Sequence, residues 1–170
     1  MEYIRIPGLD KPLSRLIFGT SRREEKVSDM IPLLDEYIRA GGNVIDTAMY
    51  YNGGESESVL GQWMEERGNR EQLVIITKGC HPTKEEPNRV SPEMINQDLA
   101  GSLKRLRVEY VDLYLLHRDD PSQPVGPLVE TLNEHIAAGR IKQIGVSNWS
   151  WQRIEEANEY AEKHGLKGFV

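Results

Sequence analysis

The chain has 170 residues, and its 21 Lys and Arg against 27 Asp and Glu give a formal net charge of −6. This balance disfavours a nucleic-acid binder and a partner of an anionic membrane, because both need clustered positive charge. Hydrophobic residues make up 38% of the sequence, which is ordinary for a globular domain that buries a core. No apolar run is long enough to cross a bilayer, so we expect no membrane-spanning segment.

The N-terminal residues and the cysteine content bear on the cellular location of the protein. The sequence begins Met-Glu-Tyr-Ile-Arg, without the basic-then-apolar pattern of a secretion signal. Cys80 is the single cysteine, so no internal disulfide can form, which fits a reducing compartment. We therefore expect a cytoplasmic protein.

Short apolar or β-branched runs alternate with stretches of helical spacing along the chain. Residues 4–7, ahead of the first run, are predicted to form part of a small hairpin, which in a closed barrel would cap the bottom. The runs predicted as strands are 13–18, 43–46, 73–77, 111–116 and 143–147, with a sixth beginning at 168. The segments predicted as helices are 28–40, 55–67, 92–107, 124–138 and 151–164. Such alternation predicts parallel strands joined by helical crossovers.

Two α/β architectures compete for this pattern, an open doubly wound sheet and a (β/α)8 barrel. An open nucleotide-binding sheet carries a glycine-rich phosphate loop after its first strand, and the segment Phe-Gly-Thr-Ser at 18–21 lacks that pattern. We therefore predict a parallel (β/α)8 TIM-barrel type in one domain over residues 1–170, with five to six of its units present. A full barrel takes about 250 residues, so we also expect open strand edges that favour self-association.

Polar side chains follow four successive predicted strands. Asp46, Lys78, His117 and the pair Ser147 and Asn148 each come at the end of an apolar run. Because the carboxyl ends of barrel strands converge at one mouth, we expect these side chains to share one pocket. A structural Asp46–Lys78 ion pair, a satisfied histidine and a helix cap are the alternatives for the individual residues.

Other chemistries are less well supported by the same residues. Asp46, His117, Asp119 and Asp120 could supply metal ligands, but a lysine beside them would repel a cation. Glycoside cleavage needs a second acid at a neighbouring strand end, and the sequence offers none. An imine-forming role for Lys78 stays open, and it requires the amine to be desolvated rather than paired with an acid.

Four segments in order resemble the signature motifs of the aldo-keto reductases. They read Asn-Val-Ile-Asp-Thr-Ala-Met-Tyr-Tyr at 43–51, Ile-Thr-Lys at 76–78, Val-Asp-Leu-Tyr-Leu-Leu-His-Arg at 111–118 and Gly-Arg-Ile-Lys-Gln-Ile-Gly-Val-Ser-Asn at 139–148. The resemblance covers nearly the whole chain. It implies a TIM barrel and NADPH-dependent reduction of a small-molecule carbonyl substrate, without a metal.

The resemblance also implies a role for particular residues. The catalytic tyrosine of the family lies five positions after the aspartate, which selects Tyr51 over Tyr50. In the implied mechanism the phenol donates the proton, the lysine and aspartate support it, and the histidine orients the carbonyl. The implied catalytic residues are Asp46, Tyr51, Lys78 and His117, and the implied cofactor-binding residues are Gly19, Thr20, Ser147 and Asn148. Trp149 directly follows the last pair and is predicted to line the substrate pocket; packing at the start of a helix is the alternative for it.

The same resemblance implies that the domain is C-terminally incomplete. In the family, the seventh and eighth units supply the loops that hold most of the cofactor, and these units have no counterpart in the sequence. Two hypotheses follow. The protein is a carbonyl reductase, or it is a catalytically silent half-barrel that needs further units or a partner chain to bind cofactor.

Overall fold

The computed structural model of the chain describes residues 1–21 and 26–170. In that part the strands are β1 Tyr3–Ile4, β2 Leu13–Ser14, β3 Phe18–Gly19, β4 Val44–Asp46, β5 Val74–Gly79, β6 Val111–Leu116 and β7 Ile141–Val146. The α-helices are α1 Met30–Arg39, α2 Glu55–Arg67, α3 Pro92–Leu106, α4 Val125–Ala137 and α5 Trp151–Lys163. None of the helices in the described residues has the length and apolar character needed to cross a membrane.

The main sheet has five strands in the order β3-β4-β5-β6-β7. Each strand pairs in parallel with the next one in the sequence. Strand order therefore follows chain order, as a barrel requires, whereas a doubly wound sheet reverses direction at a switch point. The open-sheet alternative is thus excluded for this chain.

Two of the predicted helix starts are explained by capping. The Ser91 side chain accepts a hydrogen bond from the Met94 amide, and Pro92 occupies the first turn of α3. The Ser150 hydroxyl accepts from the Arg153 amide at the start of α5. Predicted and observed helix bounds agree to within about two residues.

The prediction of one strand over 13–18 is wrong. β2 pairs in antiparallel with β1, and only β3 joins the parallel sheet. The chain bends between them because the Ser14 hydroxyl donates to the Leu16 carbonyl, which forms a local turn. The predicted hairpin is present, and its loop contacts β7 where Gln143 Nε2 donates to the Pro7 carbonyl at 2.6 Å.

The predicted sixth strand is not formed as a strand within the described residues. Only one ladder-like contact is made there, from the Val170 amide to the Ile144 carbonyl at 3.1 Å. The outer edge of β7 is therefore hydrogen-bonded to the C-terminal segment at one position. A single hydrogen bond does not establish a strand pair.

Successive side chains of a strand point to opposite faces of the sheet, so every second residue lies on the same face. Val74 and Ile76 of β5 lie in one hydrophobic cluster with Val44 and Leu113, on the concave side of the sheet. Ile75 lies in the other cluster, which packs against the helices. Lys78, two residues beyond Ile76, therefore emerges on the concave side, at the end of its strand.

Candidate active site

Lys78 is the centre of a polar group at the ends of β4 and β5. Its Nζ atom donates to Asp46 Oδ1 at 2.6 Å, to the Thr47 carbonyl at 2.9 Å and to Tyr51 Oη at 3.2 Å. The Lys78 side chain is 7% exposed and the Asp46 side chain 27%. Three acceptors surround one buried ammonium and fix its position, because an unpaired charge would be costly in this position.

Tyr51 reaches this group through a tight turn. It begins a short 3₁₀ helix, Tyr51–Gly54, in which Asn52 and Gly53 adopt positive φ angles of 52° and 63°. Gly54 has φ 90°, and a Cβ there would lie 3.0 Å from the Arg105 side chain. The turn therefore requires a residue without a side chain at Gly54, and it aims the phenol back toward Lys78.

A buried carboxylate fixes the start of α2 against β5. Glu57 is fully buried; it accepts from Thr77 Oγ1 at 2.5 Å and from Arg105 Nε at 2.8 Å. Thr77 is the residue before Lys78, so Glu57 ties the turn that carries Tyr51 to the strand that carries Lys78. Sequence reasoning missed this positioning role because the burial of a glutamate depends on which helices pack together.

His117 follows β6 and borders the same group. Its ring meets the ring of Tyr51 edge-on, with centroids 5.7 Å apart, and that of His81 at 4.7 Å. Burial, followed by the electrostatic effects of Lys78, His81 and Arg118, lowers the pKa of His117 to about 4. Its imidazole is therefore neutral near pH 7. Nδ1 is buried and has no hydrogen-bonding partner among the described residues.

An open cleft of about 960 Å³ adjoins this group. Tyr51 and His117 line it, and the Tyr50 ring stacks on the His81 ring at 4.1 Å to form one wall. Its described lining residues are Ser21, Tyr50, Tyr51, Asn52, Gly53, His81, His117 and Arg118. Motif reasoning did not single out Tyr50 or Arg118, although each is the direct neighbour of a predicted catalytic residue.

Ser147 and Asn148 lie at the end of β7, beside His117. Asn148 adopts a positive φ of 61°, and its Nδ2 atom donates to the His117 carbonyl at 3.0 Å and to Ser147 Oγ at 2.9 Å. No donor among the described residues contacts Oδ1 of Asn148. The pair therefore offers a hydroxyl and an amide carbonyl, a donor and acceptor set that matches a primary carboxamide.

Gly19 ends β3, at the edge of the sheet opposite β7, and Thr20 follows it. Gly19 is exposed, and a Cβ built there meets no atom of the described residues within 4 Å, which leaves space for a ligand. Thr20 is fully buried; its amide donates to the Asp46 carbonyl at 3.0 Å and its hydroxyl to the same oxygen at 3.2 Å. The Thr20 side chain thus anchors the end of β4, and its role in cofactor binding stays a prediction.

Trp149 is not among the described residues that line the cleft. Its indole Nε1 donates to the Arg118 carbonyl at 3.0 Å, and its ring meets Phe169 edge-on at 5.5 Å. Trp149 therefore packs against the loop after β6, outside the described lining of the cleft. Its direct contact with a substrate stays a prediction. The predicted residues that the structure brings together are Asp46, Tyr51, Lys78, His117, Ser147 and Asn148.

The alternative chemistries find little support in this geometry. Over residues 1–21 and 26–170, no three His, Cys, Asp or Glu side chains are grouped as metal ligands. Asp119 instead pairs with Arg153 at 3.3 Å, and Asp120 accepts from the Ser122 hydroxyl at 2.6 Å. Lys78 is paired with Asp46 rather than desolvated as a free amine, which disfavours imine formation.

Comparison with known proteins agrees with the resemblance of the four sequence motifs to the aldo-keto reductases. The profile of the Aldo/keto reductase family matches residues 15–170. The chain is 37% identical over 145 residues to norsolorinic acid reductase stcV of Emericella nidulans, covering 81% of this chain and 38% of that protein. It is 34% identical over 164 residues to aryl-alcohol dehydrogenase [NADP(+)] of Phanerodontia chrysosporium, covering 90% of this chain and 42% of that one.

A solved structure gives the same result for the fold. The glycerol dehydrogenase AKR11B4 from Gluconobacter oxydans superposes with a TM-score of 0.81 at 29% identity, covering 96% of this chain and 61% of that one. The predicted TIM-barrel type, with part of its units present, is therefore confirmed. The chain spans less than half the length of the two curated relatives named above. On the strength of its fold, its motifs and its profile match, the chain belongs to the aldo/keto reductase family.

Proposed function

We propose that the protein reduces aldehydes or ketones to alcohols with NADPH, and that Tyr51 donates the proton to the carbonyl oxygen. The observation that carries the proposal is the placement of Lys78 Nζ between Asp46 Oδ1 and Tyr51 Oη, at 2.6 and 3.2 Å, beside an open cleft. Family membership supports oxidoreductase chemistry. The four side chains supply the acid–base part of that chemistry.

Each side chain has a distinct task in this proposal. Asp46 holds the Lys78 ammonium in place, and the ammonium donates toward the Tyr51 oxygen. A nearby positive charge favours the phenolate that forms when the phenol gives up its proton. His117 is neutral near pH 7, so it can present a ring N–H to the substrate oxygen without adding a charge.

The residues after β7 fit the nicotinamide end of the cofactor. The Ser147 hydroxyl and the Asn148 carbonyl would hold its carboxamide, and the open backbone at Gly19 leaves room at the opposite edge of the sheet. When bound, NADPH supplies a hydride to the carbonyl carbon. The relative from Phanerodontia chrysosporium is an aryl-alcohol dehydrogenase [NADP(+)], which supports the choice of NADPH over NADH.

A second candidate is a catalytically silent half-barrel that binds no cofactor until it meets further barrel units or a partner chain. It is favoured by the sheet, in which β3 and β7 are the two outer strands of five, and by coverage of 38% and 42% of two curated relatives. Unpaired outer strands promote association through their backbone groups. In this case the chain would self-associate or pair with a complementary chain.

Cofactor binding separates the two candidates. Titration of the purified chain with NADPH, followed by the change in nicotinamide fluorescence, is expected to saturate with a dissociation constant on the order of 10 μM. Asn148→Ala removes the carboxamide acceptor and is expected to weaken binding about tenfold. Gln62→Ala, on the exposed face of α2, is the control and should bind as the parent does. Absence of any saturable change would overturn the reductase proposal for this chain in favour of the half-barrel.

We also propose a cytoplasmic location. Cys80 is the single cysteine of the sequence and is buried and free, so no internal disulfide forms, which fits a reducing compartment. Fractionation of the cells that express the protein tests this point. Recovery in a secreted or periplasmic fraction would contradict it.

A further inference from the structure

The cleft beside Tyr51 carries an unusual balance of charge for this chain. The whole sequence has a net charge of −6, yet the described lining residues include no Asp or Glu. Their one permanently charged group is the guanidinium of Arg118. A ligand in the cleft therefore meets a positive charge with no acid beside it in the described lining.

The acids closest to Arg118 in the sequence are engaged elsewhere. Asp119 pairs with Arg153, which also donates to the Gln123 carbonyl at 2.9 Å. Asp120 accepts from the Ser122 amide and hydroxyl at 3.0 and 2.6 Å. Across residues 1–21 and 26–170, no carboxylate forms an ion pair with Arg118. Its charge is thus left for solvent or for a ligand.

The backbone that carries Arg118 is held in place. Trp149 Nε1 donates to the Arg118 carbonyl at 3.0 Å, and Asn148 Nδ2 donates to the preceding carbonyl, that of His117, also at 3.0 Å. Two consecutive peptide groups are therefore fixed by the segment after β7. The Arg118 side chain is exposed, but the backbone that carries it is fixed next to His117, at the edge of the candidate active site.

We propose that Arg118 determines substrate specificity by binding a carboxylate, so that the preferred substrates are aldehydes or ketones that bear a carboxylate group. This inference rests on the proposed reductase function and names its substrate class. A guanidinium presents a planar fork of N–H donors that matches the two oxygens of a carboxylate.

The first test compares two aldehydes of similar shape, 4-carboxybenzaldehyde and its methyl ester. With NADPH, the parent chain is expected to show a kcat/KM about tenfold higher for the acid than for the ester. In Arg118→Met this ratio is expected to fall to about one, mainly through a higher KM for the acid. The matched control is Arg5→Met, an exposed arginine in the hairpin loop, which should keep the parent ratio.

A second readout needs neither cofactor nor turnover. Benzoate and methyl benzoate are titrated into the parent, Arg118→Met and Arg5→Met chains, and binding is followed by NMR chemical shifts. Benzoate is expected to bind the parent and the control about tenfold more tightly than Arg118→Met, with no such difference for the ester. Arg118-dependent benzoate binding without turnover of either aldehyde would support a carboxylate site at Arg118 but overturn the reductase function, and with it the role of Arg118 in substrate choice. Turnover with equal kcat/KM for acid and ester, or benzoate binding unaffected by Arg118→Met, would overturn this inference alone.

Discussion

Lys78 Nζ and Asp46 Oδ1 lie 2.6 Å apart across two neighbouring parallel strands. The pairing register sets Asp46 opposite Ile76, two residues before Lys78, so both side chains emerge on the same side of the sheet. The long lysine side chain then reaches back to the carboxylate and onward to Tyr51. This pair converts the end of an apolar sheet into a polar site.

Substitution of Asp46 by Asn is expected to destabilise the fold by about 2 kcal/mol, because it leaves a buried ammonium with a neutral partner. The partial exposure of Asp46 reduces the loss below that of a fully buried pair. Urea unfolding followed by circular dichroism measures it. In the double variant Asp46→Asn with Lys78→Met the buried charge is absent, and we expect part of the stability to return. Strictly additive losses in the double variant would show that the ion pair has no energetic coupling.

Acid is expected to weaken the fold through His117. Burial lowers its pKa from the ordinary 6.5 to about 4, so the unfolded chain takes up this proton at higher pH than the folded chain does. The stabilisation is therefore complete above pH 6.5 and is lost as the pH falls from 6.5 toward 4. His135, whose pKa burial also lowers, adds to the same trend.

Urea midpoints at pH 7.5 and pH 5.0 test this dependence. The drop in midpoint on acidification should be smaller in His117→Gln than in the parent chain. His164→Gln, on the exposed end of α5, is the control and should lose as much as the parent does. An equal drop in all three chains would remove His117 from the acid response.

Tyr114 and Tyr37 offer a matched pair of hydroxyl deletions. The Tyr114 hydroxyl is buried with no hydrogen-bonding partner among the described residues, so Tyr114→Phe is expected to stabilise the fold by about 1 kcal/mol. The Tyr37 hydroxyl lies 2.7 Å from the Leu16 carbonyl and accepts from the Val44 amide at 3.1 Å. Tyr37→Phe is therefore expected to cost about 1 to 2 kcal/mol. Chemical unfolding of both variants measures these changes in the free energy of unfolding. A loss of stability in Tyr114→Phe would contradict the prediction and reveal a partner for its hydroxyl.

The convergence of Asp46, Lys78 and His117 could be predicted because it follows from two regularities. Side chains alternate along a strand, and parallel strand ends meet at one mouth. The local turn at Ser14 could not be predicted, since a run of apolar residues does not reveal where a hydroxyl caps its own backbone. The position of Trp149 depends on the loop after β6, and its indole could equally have faced the cleft on sequence grounds.

The ion-pair partners of Arg118 and Arg153 could not be predicted from the sequence. Its neighbour Asp119 suggests a local charge pair, but the structure gives that carboxylate to Arg153, which is distant in the sequence. Only the tertiary arrangement shows that Arg118, and not Arg153, lacks a carboxylate partner among the described residues. The charge of the cleft is therefore a property of the fold rather than of the motif.

The most direct test of the account is the rate of NADPH oxidation with an aldehyde by the parent chain and by Tyr51→Phe at saturating cofactor. Removal of the phenolic proton donor should lower kcat at least a hundredfold, the scale of general acid catalysis, while NADPH binding and the urea midpoint stay close to those of the parent. Tyr50→Phe, at the neighbouring phenol, is the matched comparison and should keep most of the rate. Equal rates for the parent and Tyr51→Phe, or no turnover by a parent chain that binds NADPH, would contradict the account.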